Sequence, residues 1–188
     1  MTPMRNAMVA GPALREVHRR AGWYLATEFL AEVIGVEEYP IPHVLGHQTS
    51  GYRLRHEKKT LIVALMRGGE PMALGVNEAL PLAMFVHANR PEDIKLHHLQ
   101  QKRTIVLVDS VVNSGKTVGQ FVQHIRNLSS SIHIVVVAGI VQARSVSEGS
   151  LAGHTDFSLV ALRLSDDQFT GRGTTDTGNR LFNTTHLT

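Results

Sequence analysis

Two kinds of hydrophobic pattern alternate along the chain from residue 61 onward. Five short runs, at residues 61–65, 83–86, 104–108, 132–138 and 157–162, place mostly aliphatic or β-branched side chains at successive rather than alternating positions. Unbroken runs of this length are expected of strands covered on both faces, as in a parallel sheet. Between them, residues 71–79 and 116–128, and more weakly 141–152, carry apolar positions at helical spacing. Ahead of the first run, Leu14, Val17, Ala21, Leu25, Phe29 and Val33 fall in steps of three and four. That stripe predicts an amphipathic helix opened by Pro12 and closed at Gly35. Residues 37–60, with Pro40, Pro42, Gly46 and Gly51, read as irregular. Strand and helix in alternation predict an α/β domain with a mainly parallel sheet of about five strands joined by right-handed crossovers. Ligands of such sheets sit at the carboxyl ends of the strands, so the strand-to-helix loops are where chemistry is expected.

Composition narrows the function classes. A chain of 188 residues with 43% hydrophobic and 19% charged positions is expected to form one globular domain over residues 1–188. Residues 1–11 are expected to be a flexible arm. The absence of cysteine excludes a disulfide scaffold, Cys-ligated metal sites and thiol catalysis. No apolar run approaches the roughly 18 residues of a membrane span, and the N-terminus lacks the apolar core of a signal peptide. A soluble, cytoplasmic protein with no membrane partner is expected. The net charge is only +3, and aromatic residues make up 5%. Neither a nucleic-acid footprint nor a stacking platform follows from that balance. The densest basic stretch is Arg53-Leu54-Arg55-His56-Glu57-Lys58-Lys59, which suits a solvated loop better than an anion patch.

The most informative loop lies between residues 104 and 117. A buried strand ends in one carboxylate, Asp109, and small polar residues then lead into a helix at Lys116. A helix start offers unpaired N–H groups and a positive dipole end, a seat for phosphate. Ser114, Lys116 and Thr117 add hydroxyl and ammonium donors, while an ionised Asp109 only accepts and so suits sugar hydroxyls. A ribose carrying a monophosphate matches both halves. The plain alternative is a strand end followed by a helix capped by Asn113 or Ser114. Gly115-Lys116-Thr117 also echoes a nucleotide P-loop, but Ser110 stands where that motif needs its first glycine. His97-His98 is too short a pattern to hold a metal, because adjacent side chains diverge. Trp23 and Tyr24 on the first helix suit packing or a dimer contact.

The strand, the acidic residue and the small-polar loop resemble the phosphoribosyl-pyrophosphate (PRPP) signature of type I phosphoribosyltransferases. Within that group the chain is most similar to the uracil phosphoribosyltransferase family. Leu65-Met66-Arg67-Gly68-Gly69-Glu70-Pro71-Met72 resembles the family's L-R-A-G-x-x-M loop. Physically, one cation and two glycines after a buried strand suit the close approach of pyrophosphate. Residues 169–182, FTGRGTTDTGNRLF, resemble the family's Y-I-x-P-G-x-G-D-x-G-D-R-x-F base-binding loop without a gap. The resemblance runs in order from about residue 13 to residue 184. Departures from the pattern are Phe169 for tyrosine, Arg172 for proline, Thr175 for glycine and Asn179 for the second aspartate. Residues 88–103 are shorter than the family's hood segment.

The resemblance implies a type I phosphoribosyltransferase fold with a C-terminal hood segment and transfer of 5-phosphoribose from PRPP to uracil, giving UMP and pyrophosphate. It implies that Asp109 orients the ribose hydroxyls and that Asn113, Ser114, Gly115, Lys116 and Thr117 hold the 5-phosphate. It further implies that Arg67, with Arg90, balances the pyrophosphate. Thr170, Thr175 and Thr177 would present backbone groups to the base, with Asp176 beside the reaction centre. Mg²⁺ held mainly through PRPP, a homodimer and a nucleotide activator complete what the family implies. A second reading stays open: a catalytically silent relative that binds PRPP or a nucleotide as the regulatory domain of a larger protein. A third is a structural or interaction domain that keeps only the fold.

Overall fold

The computed structural model describes residues 1–149, 151–153, 156–167, 169 and 171–187. A short helix α1 (Thr2–Arg5) precedes α2 (Gly11–Leu25), which runs through a π-helical turn at Ala26–Leu30 into α3 (Ala31–Ile34). Strands β1 (Val36–Pro42) and β2 (Gln48–Leu54) follow as an antiparallel pair. The main sheet then builds in sequence: β3 (Thr60–Leu65), α4 (Glu70–Ala79), β4 (Met84–Ala88), the single turn α5 (Leu96–Leu99) and β5 (Thr104–Val112). It continues with α6 (Lys116–Leu128), β6 (His133–Gln142), α7 (Ala143–Ser147) and β7 (Phe157–Ser165) before α8 (Thr177–Phe182). The five strands are parallel in the order β4-β3-β5-β6-β7.

The unbroken apolar runs are therefore strands, and every residue of β3 is buried. One face of the sheet packs on α6 through Phe121, Val122 and Ile125, the other on α2 and α4 through Leu25, Met72 and Val76. Burying each such side chain stabilises the fold by about 1.5–3 kcal/mol.

The α2–α4 contact is made by backbone. A Cβ on Gly22 would lie 2.0 Å from the Met72 carbonyl oxygen, and one on Gly75 would lie 1.8 Å from that of Arg19. No side chain fits at either position. The buried stripe of α2 is accordingly Leu14, His18, Gly22 and Leu25, which corrects the stripe expected through Val17 and Ala21. The π turn rotates the pattern again, so Phe29 lies at the surface with Trp23 and Tyr24. Trp23 and Tyr24 thus do not serve as core packing.

Three further expectations change. Residues 37–60 are not irregular but form the β1–β2 pair, with exposed and half-buried positions alternating. The basic stretch falls at its end, where Arg53 donates to Glu37 at 2.7 Å and stacks over Tyr39. The expected helix at 141–152 shrinks to α7, because β6 continues to Gln142 in register with β7. Finally, residues 1–11 are not a free arm. Met4 is buried, and Arg180 on α8 donates to the carbonyl oxygens of Met4, Asn6 and Val9 at 3.3, 2.7 and 2.9 Å. Among the described residues no helix is long and apolar enough to cross a membrane.

Candidate active site

The carboxyl ends of β3 and β5 and the segment around α8 enclose a cleft of about 350 Å³. The turn after β3 supplies Arg67 and Gly68. Gly69 closes that turn where a Cβ would lie 2.1 Å from the Val108 carbonyl oxygen, so the turn can lie against β5 only with glycine there. A Cβ on Gly68 would stand 3.4 Å from Asp109 Oδ1, which shows how closely the two strand ends approach.

Asp109 does not end its strand. Val111 and Val112 still pair with Ile140 and Val141, so β5 carries the acid three residues before its end. The carboxyl retains some surface on the cleft but is hemmed in by protein. Its Oδ1 accepts the Ser110 N–H at 2.7 Å, and the Val111 N–H also points to it. Desolvation outweighs these bonds and pushes its pKa up to about 7. Asp109 is therefore a group that gains or loses its proton near neutrality, rather than a permanently charged strand end.

Beyond Val112, Asn113, Ser114, Gly115, Lys116 and Thr117 wrap an adjoining hollow of about 230 Å³. Gly115 adopts φ +75° at the N-cap of α6 and has no side chain to cap it, and the one side-chain bond to the helix start is a long one from the Lys116 N–H to Ser114 Oγ at 3.4 Å. A Cβ on Gly115 would lie 2.5 Å from Leu151 Cγ. The N–H groups of the first turn beyond Lys116 thus stay open at the start of a 13-residue helix, with Lys116 and Thr117 at the rim of the hollow. The two hollows share Asp109, Val111 and Asn113, so one ligand can span both.

The third wall is the segment before and in α8. Asp176 caps that helix, its Oδ1 accepting the Asn179 N–H at 2.8 Å, and it lines the cleft with Thr177 and Gly178. Asn179 is buried and ties the walls together. Its Oδ1 accepts from Arg67 Nη2 at 2.7 Å and from Thr184 Oγ1 at 2.9 Å, while its Nδ2 donates to the Gly173 carbonyl at 3.3 Å. The Arg67 guanidinium also lies 5.8 Å from the Phe182 ring centre.

Not every expected residue reaches this cleft. Thr175 turns its hydroxyl back on its own loop: Oγ1 accepts from the Arg172 N–H and donates to the Arg172 carbonyl, both at 3.0 Å. Arg90 stands on the loop after β4, largely exposed, 3.5 Å from Asp93, and is not a wall of the cleft. Thr170 lies outside the described residues. Conversely, Ser110 and Phe169 line the cleft without having been assigned a role, although Ser110 directly follows Asp109 in the loop singled out from sequence.

A five-stranded parallel sheet flanked by helices, with a glycine-rich cationic turn and a phosphate-ready helix start at adjacent strand ends, defines the type I phosphoribosyltransferase fold. Residues 1–184 match the uracil phosphoribosyltransferase family, and the chain belongs to it. The fold is similar to that of the AQ2163 protein from Aquifex aeolicus, with a TM-score of 0.75 and 18% identity over 96% of this chain and 91% of that one. More partial similarity extends to the xanthine-guanine-hypoxanthine phosphoribosyltransferase of Helicobacter pylori (TM-score 0.40, 18% identity, 54% of this chain and 65% of that one). It extends likewise to the orotate phosphoribosyltransferase of Aeropyrum pernix (TM-score 0.41, 16% identity, 74% and 93%). Among curated proteins nothing matches the chain.

Proposed function

We propose that the protein transfers the 5-phosphoribosyl group of PRPP to N1 of a pyrimidine of the uracil type, releasing pyrophosphate and forming the nucleoside 5′-monophosphate. The observation that carries this reading is the junction of the two hollows at Asp109. A phosphate-ready helix start lies on one side of that carboxyl and a cationic turn on the other. The 5-phosphate would sit against the N–H groups at the start of α6, with Ser114, Lys116 and Thr117 adding donors. Asp109 would accept from the ribose hydroxyls. Arg67 would balance the charge that builds on pyrophosphate as its bond to C1′ breaks and the bond from N1 forms. The sugar becomes oxocarbenium-like at that point, so stabilising the leaving group governs the rate. Asp176 spends Oδ1 on the α8 cap, leaving Oδ2 to take the N1 proton of the base.

Among the described residues no group of three His, Asp or Glu side chains could hold a metal, and the cleft offers only Asp109 and Asp176. That donor set fits Mg²⁺ carried mainly by PRPP oxygens and waters, which would supply charge neutralisation. Exposed Trp23 and Tyr24 support a homodimer, in which a second copy would cover them. Pyrophosphate release that requires both PRPP and uracil would establish the enzyme. PRPP bound without release for any pyrimidine would leave the silent, ligand-binding reading. In calorimetry with Mg²⁺, Asp109→Ala should weaken PRPP by about 10–100-fold, the worth of a charge-assisted hydrogen bond. Unchanged affinity would remove the assignment.

A further inference from the structure

Behind the cleft lies a second compartment of about 280 Å³ that shares Ser110, Val111, Asn113, Phe169 and Thr177 with it. A ring held against the loop before α8 would therefore face this space. Its charge is one-sided. Arg5, Arg163 and Arg180 line it against one carboxylate, Asp167. Arg180 is engaged by three carbonyl oxygens, which orient the guanidinium but leave its charge unneutralised. Arg5 and Arg163 have no ion pair or side-chain hydrogen bond among the described residues.

Two buried polar groups also border the compartment. Ser110 Oγ is buried with no hydrogen-bond partner among the described residues. His18 is buried on α2, with Nδ1 2.8 Å from the Leu14 carbonyl oxygen. A carbonyl only accepts, so Nδ1 carries the proton, and burial holds the ring in its neutral form. Nε2 is then left as an acceptor. A plain uracil ring would leave this space cationic and its buried hydroxyl unpaired, an arrangement disfavoured in a partly desolvated site.

We propose that the compartment bounded by Arg163, Arg5, Ser110 and His18 receives an acidic substituent on the acceptor ring, so that the preferred acceptor is a carboxylated pyrimidine. A planar carboxylate matches the two-pronged geometry of a guanidinium, and the phosphate-type sites of the molecule are already provided at α6. The inference rests on the phosphoribosyl-transfer reading above.

The test compares uracil, its 5- and 6-carboxylates and their methyl esters as acceptors with PRPP and Mg²⁺. Calorimetry of the same compounds is run with and without PRPP. One of the acids should exceed both uracil and its own ester by tenfold or more. Arg163→Gln should collapse that ratio toward one, whereas Arg163→Lys should retain part of it. Uracil equal to or better than both acids would overturn the proposal, as would an acid preference that survives in the Arg5→Gln/Arg163→Gln double variant. Failure to bind PRPP would count against the proposed reaction alone. The acid-to-uracil ratio in the free protein would still decide this inference, with equal binding or none overturning it.

Discussion

Arg67 and Asn179 are 112 positions apart in the chain, yet Nη2 of the first donates to Oδ1 of the second at 2.7 Å. The bond links the turn after β3 to the helix that follows the loop facing it across the cleft. Because the acceptor is a neutral amide, the guanidinium is fixed in place without losing its charge. An aspartate there, as in the family pattern, would give the same reach but would neutralise the cation and face the Gly173 carbonyl with a second acceptor.

Replacing Asn179 should therefore disturb ligand binding through Arg67. Asn179→Ala removes a hydrogen bond to a charged group, and PRPP affinity should fall by about 10–100-fold, corresponding to about 1.5–3 kcal/mol. Calorimetry reads the affinity, and a thermal melt separates it from loss of folding. Affinity unchanged in a folded variant would show that Arg67 needs no such anchor.

Asp109 makes stability depend on pH in a set direction. The carboxyl titrates near 3.8 when unfolded and at about 7 in the fold. Between those values the native protein keeps a proton that the unfolded chain has released. Its stabilising contribution is complete below about pH 4 and is lost as pH rises through 7. The loss is as much as about 4 kcal/mol, and water entering the cleft makes it smaller. Urea unfolding at pH 5 and pH 8 should show wild type weaker at the higher pH, with that difference largely gone in Asp109→Asn. Equal slopes in the two proteins would refute the assignment.

Gly115 combines two constraints that a double mutant can separate. Gly115→Ala should cost at least about 1 kcal/mol for the left-handed backbone, plus the clash with Leu151. Adding Leu151→Ala makes room for the methyl but leaves the backbone penalty. In urea unfolding the two changes should therefore couple. Strict additivity would mean that the two side chains do not meet.

Thr175→Gly, although it restores the family's residue, should not improve base binding. The hydroxyl it removes closes the Arg172–Thr175 turn, so the change should lower stability by about 1 kcal/mol. Thr175→Ser should remain at wild type. A lower KM for the base in the glycine variant would show instead that the threonine side chain obstructs the site.

The central sheet was legible because burial on both faces leaves the sequence no choice but unbroken aliphatic runs, as in β3 and β6. The β1–β2 pair was hidden, since Pro40, Pro42 and Gly51 are breakers in a sheet interior but tolerated where a two-stranded ribbon has free edges. The α2 face misled because its buried positions include His18 and Gly22, residues that carry little weight in any apolar pattern. In the site, the spacing from Asp109 to Lys116 located the strand-to-helix loop that lines the second hollow. It could not show that β5 runs on to Val112, which depends on pairing with β6. Nor could spacing reveal that the Thr175 hydroxyl is consumed within its own turn.

The close approach of α2 and α4 at Gly22 and Gly75 bears on how the cleft could move. A joint between two main chains contains no rotamers, so the helices cannot come closer and no side-chain rearrangement can adjust the contact. Helix α4 begins at Glu70, three positions after Arg67, and the cationic turn is thus mounted on a rigid block. The opposite wall is fastened differently, by the rotatable side chains of Asn179, Arg180 and Arg15. Any adjustment to a ligand is therefore expected on the α8 side, with one half of the cleft set as a fixed jaw and the other held by side chains that can turn.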